Sequence, residues 1–327
     1  MPTTSIVLRF HEPQPLLLAA ALLLTVALPL GACAAQPATN VTGGHRVDTD
    51  LRVTGARVHV TLDADQYRIG PDELIEWVRR SASIVADYYG TFPTATVEVS
   101  VKAVDGGGVH GGRAFAQPAA RIRINVGRAV SRRELLDDWV LVHEMIHLAL
   151  PEVGETHAWL AEGLATYVEG VARVQAGNLD AVELWREDVA AMPKGMPAPG
   201  DAGLDHTHTW GRTYWGGALF CLAADVTIRE RSGNRRGLQD ALRAVMRASG
   251  GLTASWPIER VLSTADAATG TTVLSEIYAA MRDAPAAPDL VDLWRRLGVH
   301  VENGVMQLET GTGSAEIRDA ITRRPAG

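Results

Sequence analysis

Lysine is almost missing from this sequence: Lys102 and Lys194 are the only two. Arginine carries the positive charge, and 31 basic residues against 38 acidic ones leave a net charge of −7. With no basic surplus to neutralise a phosphate backbone, nucleic acid is excluded as a partner. Cysteine is equally scarce. Cys33 and Cys221 stand alone, and Cys33 lies in a segment expected to be processed, so no intrachain disulfide braces the fold. Cys221 sits in an apolar run, residues 218–224, and reads as a core residue rather than a nucleophile. Aromatic residues make up only 6% of the chain, yet 46% of it is hydrophobic, too much for a disordered polymer. Internal repeats are absent too, which excludes a solenoid. What remains is a folded protein whose stability must come from its core.

The N-terminal 32 residues read as a signal peptide. Residues 16–30, LLLAAALLLTVALPL, are uncharged and apolar, shorter than the ~20 residues of a membrane span and about the length of a signal-peptide core. The motif Leu30-Gly31-Ala32-Cys33 that follows resembles the lipobox of bacterial lipoproteins, in which the cysteine is diacylated. The resemblance implies a lipidated Cys33, a periplasm-facing protein and a membrane partner through the anchor. Ordinary cleavage at Ala32-Cys33-Ala34 would instead release a soluble periplasmic or secreted form. Residues 33–46, small and polar, read as the lipidated end and its tether.

About 295 residues follow, enough for one large domain. Residues 47–130 alternate in the manner of strands at 51–53, 57–62, 96–102 and 121–126, with one helix over 72–89 entered at Pro71 and ended at Gly90. A glycine-rich stretch, residues 105–112, separates the last two strands and reads as a mobile turn carrying His110 and Arg113. From Ser131 to the end the pattern is helical, apart from a loop over 193–209 and a short strand near 305–308. The expectation is an α+β fold: a small α/β lobe, then a mainly helical lobe, residues 131–327, of the same domain.

The chemistry is concentrated where the second lobe begins. His143-Glu144-Met145-Ile146-His147 has the pattern H-E-x-x-H inside an apolar helical stretch, residues 139–148. A four-residue spacing puts both imidazoles on one helix face, where they can share one zinc ion. Glu144 is rotated by about 100° from His143 and can face a reacting water without being a ligand. Pro151 and Gly154 then break the helix, and a second one, WLAEGLATYVE over 159–169, brings back Glu162 as a candidate third ligand.

These two helices resemble those of the gluzincins, the thermolysin-like metallopeptidases, in which H-E-x-x-H is followed by W-L-x-E-G-x-A-x-Y. The resemblance implies a thermolysin-like zincin fold with the zinc site between the lobes, zinc held by His143, His147 and Glu162, and Glu144 as general base. Thr166 and Glu169 would support a ligand histidine from behind, and the substrate would be a peptide or protein. Residues 209–236 and 292–299 are similar to later segments of the aminopeptidase N and glycyl aminopeptidase families, with Tyr214 matching a tyrosine that stabilises the oxyanion. A peptidase-fold lipoprotein that has lost catalysis and serves as a binding or scaffold protein is the other reading.

The departures from that family are specific. Only 14 residues separate His147 from Glu162, fewer than in aminopeptidase N relatives. Those relatives also hold the substrate's amine with a glutamate in a G-x-M-E-N motif, whereas no acidic residue lies here between Asp105 and Glu134. Strict exopeptidase action is therefore not expected. Residues 121–126 are expected at a sheet edge, able to pair with an extended peptide. His157 is a poorer ligand candidate than Glu162, and His206 and His208 read as solvated loop residues.

Overall fold

The computed structural model describes residues 45–302, 305–311 and 313–324. The signal peptide, Cys33 and the tether up to residue 44 lie outside the described residues. Among the described residues no helix is long and apolar enough to cross a membrane.

The first lobe is built from β1 (Arg46–Val53), β2 (Ala56–Asp63), α1 (Pro71–Tyr89), β3 (Thr96–Val104), β4 (Val109–Phe115) and β5 (Arg121–Gly127). The strands form one sheet in the order β1-β2-β3-β5-β4. The central three run parallel, and the two edge strands run antiparallel to their neighbours. Alternation decides which face is buried. Val58, Val60, Val97, Val99, Ile122 and Ile124 are all at most 1% exposed, and α1 covers that face with Leu74, Trp77, Val78 and Val85. Pro71 opens α1, and Gly90, at φ +83°, closes it in the left-handed conformation.

The strand over 121–127 is therefore internal, lying between β3 and β4, and not the edge expected from its sequence. The edge is β4, drawn largely from the glycine-rich stretch that reads as a turn. Glycine has low strand propensity, but β5 supplies a complete antiparallel register from Val109 to Phe115, with one bulge between Val109 and Gly111. His110 and Arg113 consequently belong to a strand.

The second lobe continues through α2 (Arg132–Asp137), α3 (Val140–Ile146), α4 (Ala158–Gln175), α5 (Ala181–Ala191), α6 (Gly217–Ser232), α7 (Leu238–Ser249), α8 (Ile258–Thr269), α9 (Val273–Met281), α10 (Leu290–Arg296), β6 (Val299–Glu302), β7 (Val305–Leu308) and α11 (Gly313–Thr322). The strand expected near 305–308 pairs with β6, in a segment that reads as the end of a helix. The centre of the lobe is α6, whose first half is apolar on all sides, with Ala218 through Leu222 buried to within 1%. α6 crosses α4 where Gly163 meets Gly217. A methyl at Gly163 would lie 2.3 Å from Gly217 Cα, so the backbones touch only because both side chains are absent. Cys221 is a buried free thiol of this helix.

The connector between α3 and α4 is short, and a distant segment holds it. Leu252 N–H donates to Leu148 O at 3.0 Å, Glu152 N–H to Ala254 O at 2.8 Å, and Trp256 N–H to Glu152 O at 3.0 Å. An isolated bridge, Glu152 with Ser255, completes the brace.

Candidate metal centre

α3 begins with Asp138, whose carboxylate accepts from the backbone N–H groups of Val140 (3.0 Å) and Leu141 (3.2 Å) and from Trp77 Nε1–H of α1 (3.0 Å). One buried side chain thus caps the helix and pins it to the first lobe. Capping explains why so short a helix holds a fixed position. His143 and Glu144 lie on α3, and His147 opens the 3-10 turn that follows it.

His143 Nε2 lies 3.3 Å and His147 Nε2 3.5 Å from the same oxygen, Glu162 Oε2 of α4. Three ligand-type atoms from three side chains converge within 4.8 Å of one another. Among the described residues no other group of three does so. Burial and the adjoining His147 hold the His143 imidazole below its ordinary pKa, in the neutral form that a metal requires. His147 is also buried, but Glu162 and Glu144 more than offset that and raise it. Burial pushes the Glu162 carboxyl up, yet its bonds to the two histidines bring it well below the ordinary carboxylate range.

Glu144 is 8% exposed. Desolvation raises its pKa, Glu162 adds to the rise, and His147, the Ala114 N–H bond and Arg113 act against it. That backbone bond comes from the edge strand, and β4 can approach so closely only because residue 112 is glycine: a Cβ there would stand 2.6 Å from Glu144 Cγ. Facing them, Tyr214 lies on a π-helical turn, Gly211–Gly216, that leads into α6. Its ring stacks on His143, with centroids 6.3 Å apart and 19° between the planes. Burial together with the neighbouring Glu162 carboxylate raises the phenol so far that it stays protonated.

An aminopeptidase N family protein from Idiomarina loihiensis superposes on 79% of this chain with a TM-score of 0.61, at 14% sequence identity. The two chains share a fold. An M1 zinc metallopeptidase from Deinococcus radiodurans is 16% identical over 75% of the chain, with a TM-score of 0.48, too low to add to the assignment. The chain spans about half the length of both, 50% and 53%. No protein-family model matches the sequence, and no curated protein is similar to it.

Within this fold, the two residues expected to support a ligand histidine do something else. Thr166 Oγ1–H donates to the backbone carbonyl of Glu162, one turn back, at 2.8 Å. Glu169 accepts from Arg173 at 3.4 Å. Neither reaches an imidazole, and His143 Nδ1 is buried without a hydrogen-bond partner. Helical spacing puts both residues on the face of Glu162, but their side chains satisfy nearer groups first. His157 bonds to Val153 O and Tyr278, and His206 to Asp283; neither joins the cluster.

Sequence reasoning missed Asp138, Gly112 and Arg212. An aspartate just before an apolar helix is a legible cap signal for the first. Gly112 has none, since glycine in a strand marks close approach only once its neighbour is known. Arg212, 2% exposed, bonds to Gly195 O at 2.8 Å and pairs with Asp201 at 2.8 Å, fixing the turn that presents Tyr214.

Proposed function

We propose that this chain is a zinc-dependent peptidase of the bacterial cell envelope, acting on peptide or protein substrates. The convergence of His143, His147 and Glu162 beside a buried Glu144 carries the reading. Two imidazoles and one carboxylate, converging from two helices, form a donor set that fits a catalytic zinc site with one position left for substrate or water. Zinc, when bound, supplies a Lewis acid that polarises a carbonyl and acidifies a water.

The rest of the chemistry belongs to the chain. Glu144, its pKa raised by desolvation, takes the proton of the attacking water and delivers it to the departing amine. Tyr214, still protonated, offers a hydrogen bond to the oxygen that becomes negative. β4, the open edge beside Glu144, is where an extended peptide adds as a further strand, in place of the strand over 121–127. It carries no carboxylate to hold a free amine, so substrates need not begin at the scissile residue.

A zinc-loaded preparation incubated with an N-acetylated peptide library tests this. Internal cleavage is expected, and Glu144→Gln should keep its zinc while losing about 10²–10⁴ in turnover. Absence of any cleavage would favour the scaffold reading. The envelope location rests on the apolar run 16–30 and the Leu-Gly-Ala-Cys motif. Cys33→Ser should therefore move the protein from the membrane to the soluble fraction; unchanged partition would point to the unlipidated form.

A further inference from the structure

The face of the sheet turned away from α1 is divided by charge. On β1 and β2 two of its acids have side-chain partners of their own: His59 contacts Asp48 at 3.1 Å and Asp50 at 2.9 Å, and Arg57 stands 3.8 Å from Asp50. On β3, β5 and β4 the same face carries Lys102, Arg121, Arg123 and Arg113, alternating with the buried Val101, Ile122 and Ile124. None of these four cations forms an ion pair among the described residues. Arg121 donates to Gln117 O, and the guanidiniums of Arg121 and Arg113 lie 4.6 and 5.6 Å from the Phe115 ring. Glu98 adjoins Arg121 in the register but forms no ion pair with it.

Arg113 and Arg123 are direct cross-strand partners, as Arg52 and Arg57 are on the other half, but there Asp50 stands beside Arg57 and here no carboxylate pairs with either guanidinium. Like charges placed opposite each other destabilise a sheet, and a chain of net charge −7 has acids to spare for such a position. Among the described residues no carboxylate comes within ion-pair distance of these four cations. The surface is a sheet face and not a pocket: the cations stand on three neighbouring strands, spread over about 10 Å, around one aromatic ring. That geometry suits a plane of fixed anions rather than one small ion.

We propose that the solvent face of β3, β5 and β4 docks on anionic phospholipid headgroups, Arg113 and Arg123 sharing phosphates and Phe115 lying against the interface. The patch does not depend on the peptidase reading. Arg113 and Gly112 alternate along β4, so the patch faces away from the Gly112 contact with Glu144, and because Arg113 also acts electrostatically on that carboxyl the test reads vesicle binding and not turnover.

The test is co-sedimentation of the full chain with vesicles of phosphatidylglycerol and phosphatidylcholine, against vesicles of phosphatidylcholine alone. The apolar N-terminal segment contributes to both, so the readout is the ratio of the two affinities. Each basic group near an anionic surface contributes roughly fivefold. The Arg113→Gln/Arg123→Gln double variant should therefore lower the ratio by roughly 25-fold, and raising salt should lower it for the unaltered chain. Arg52→Gln/Arg57→Gln, on the other half of the face, should leave it unchanged. No preference for the anionic vesicles, a preference indifferent to salt, or one retained by the Arg113/Arg123 variant would overturn the proposal. Competition by millimolar inorganic phosphate as effective as that by anionic vesicles would also overturn it, since the site would then hold single anions.

Discussion

Single residues show how far burial bends ordinary chemistry here. Glu169 is enclosed by α4 and α5; desolvation first, then Glu187 and Asp138, push its carboxyl up to about 7, against the pull of Arg173. An acid whose pKa is higher in the fold than in the unfolded chain is held protonated by folding. Its contribution is therefore fully present below about pH 4.5 and is lost as the pH rises through about 7. Asp188, buried and also raised, acts in the same sense. Chemical denaturation should give lower stability at pH 8 than at pH 5. Glu169→Gln should flatten that slope by about 2–3 kcal/mol, with Asp188 supplying what remains. An unaltered slope would show that Glu169 ionises as freely in the fold as outside it.

Among the elements, the π-helical turn before α6 has the most direct bearing on the site. A wider turn displaces one residue from the regular helical path, and Tyr214 is that turn's contribution to the cleft. Gly195 and Gly211 permit the 192–195 turn to press against it, and Arg212 locks the contact through Gly195 O and Ala286 O. With the turn fixed in this way, Tyr214→Phe should lower kcat by ~10²–10³ while KM and zinc content stay near their original values. A Phe variant with full turnover would leave Tyr214 as packing for Trp210 and His143. None of this turn was legible, because a π-bulge follows from tertiary contacts and the sequence reads simply as helix. The ligand helices were legible, since four-residue spacing and one apolar face fix the geometry of His143 and His147 by local rules alone. β4 was misread for the opposite reason: its strand state comes from β5, not from its own glycines.

For the molecule as a whole, a metal ion held by His143, His147 and Glu162 would also cross-link α4 to α3 and the turn that follows it. A zinc ion bound to the folded chain alone should raise the melting temperature by roughly 5 °C or more at free zinc about 100-fold above Kd. His147→Ala should abolish that rise, and an equal rise in the variant would move the binding elsewhere. The architecture was legible as two lobes because strand alternation gives way to helical periodicity near Ser131. The brace on the connector was not, since Leu148 and Glu152 find their partners about a hundred residues later. That separation has a consequence in time. Synthesis proceeds from the N-terminus, so His143, His147 and Glu162 emerge long before the segment that steadies the link between their helices. Until residue 256 has arrived, the connector between the two helices lacks the hydrogen bonds that Leu252, Ala254 and Trp256 give it.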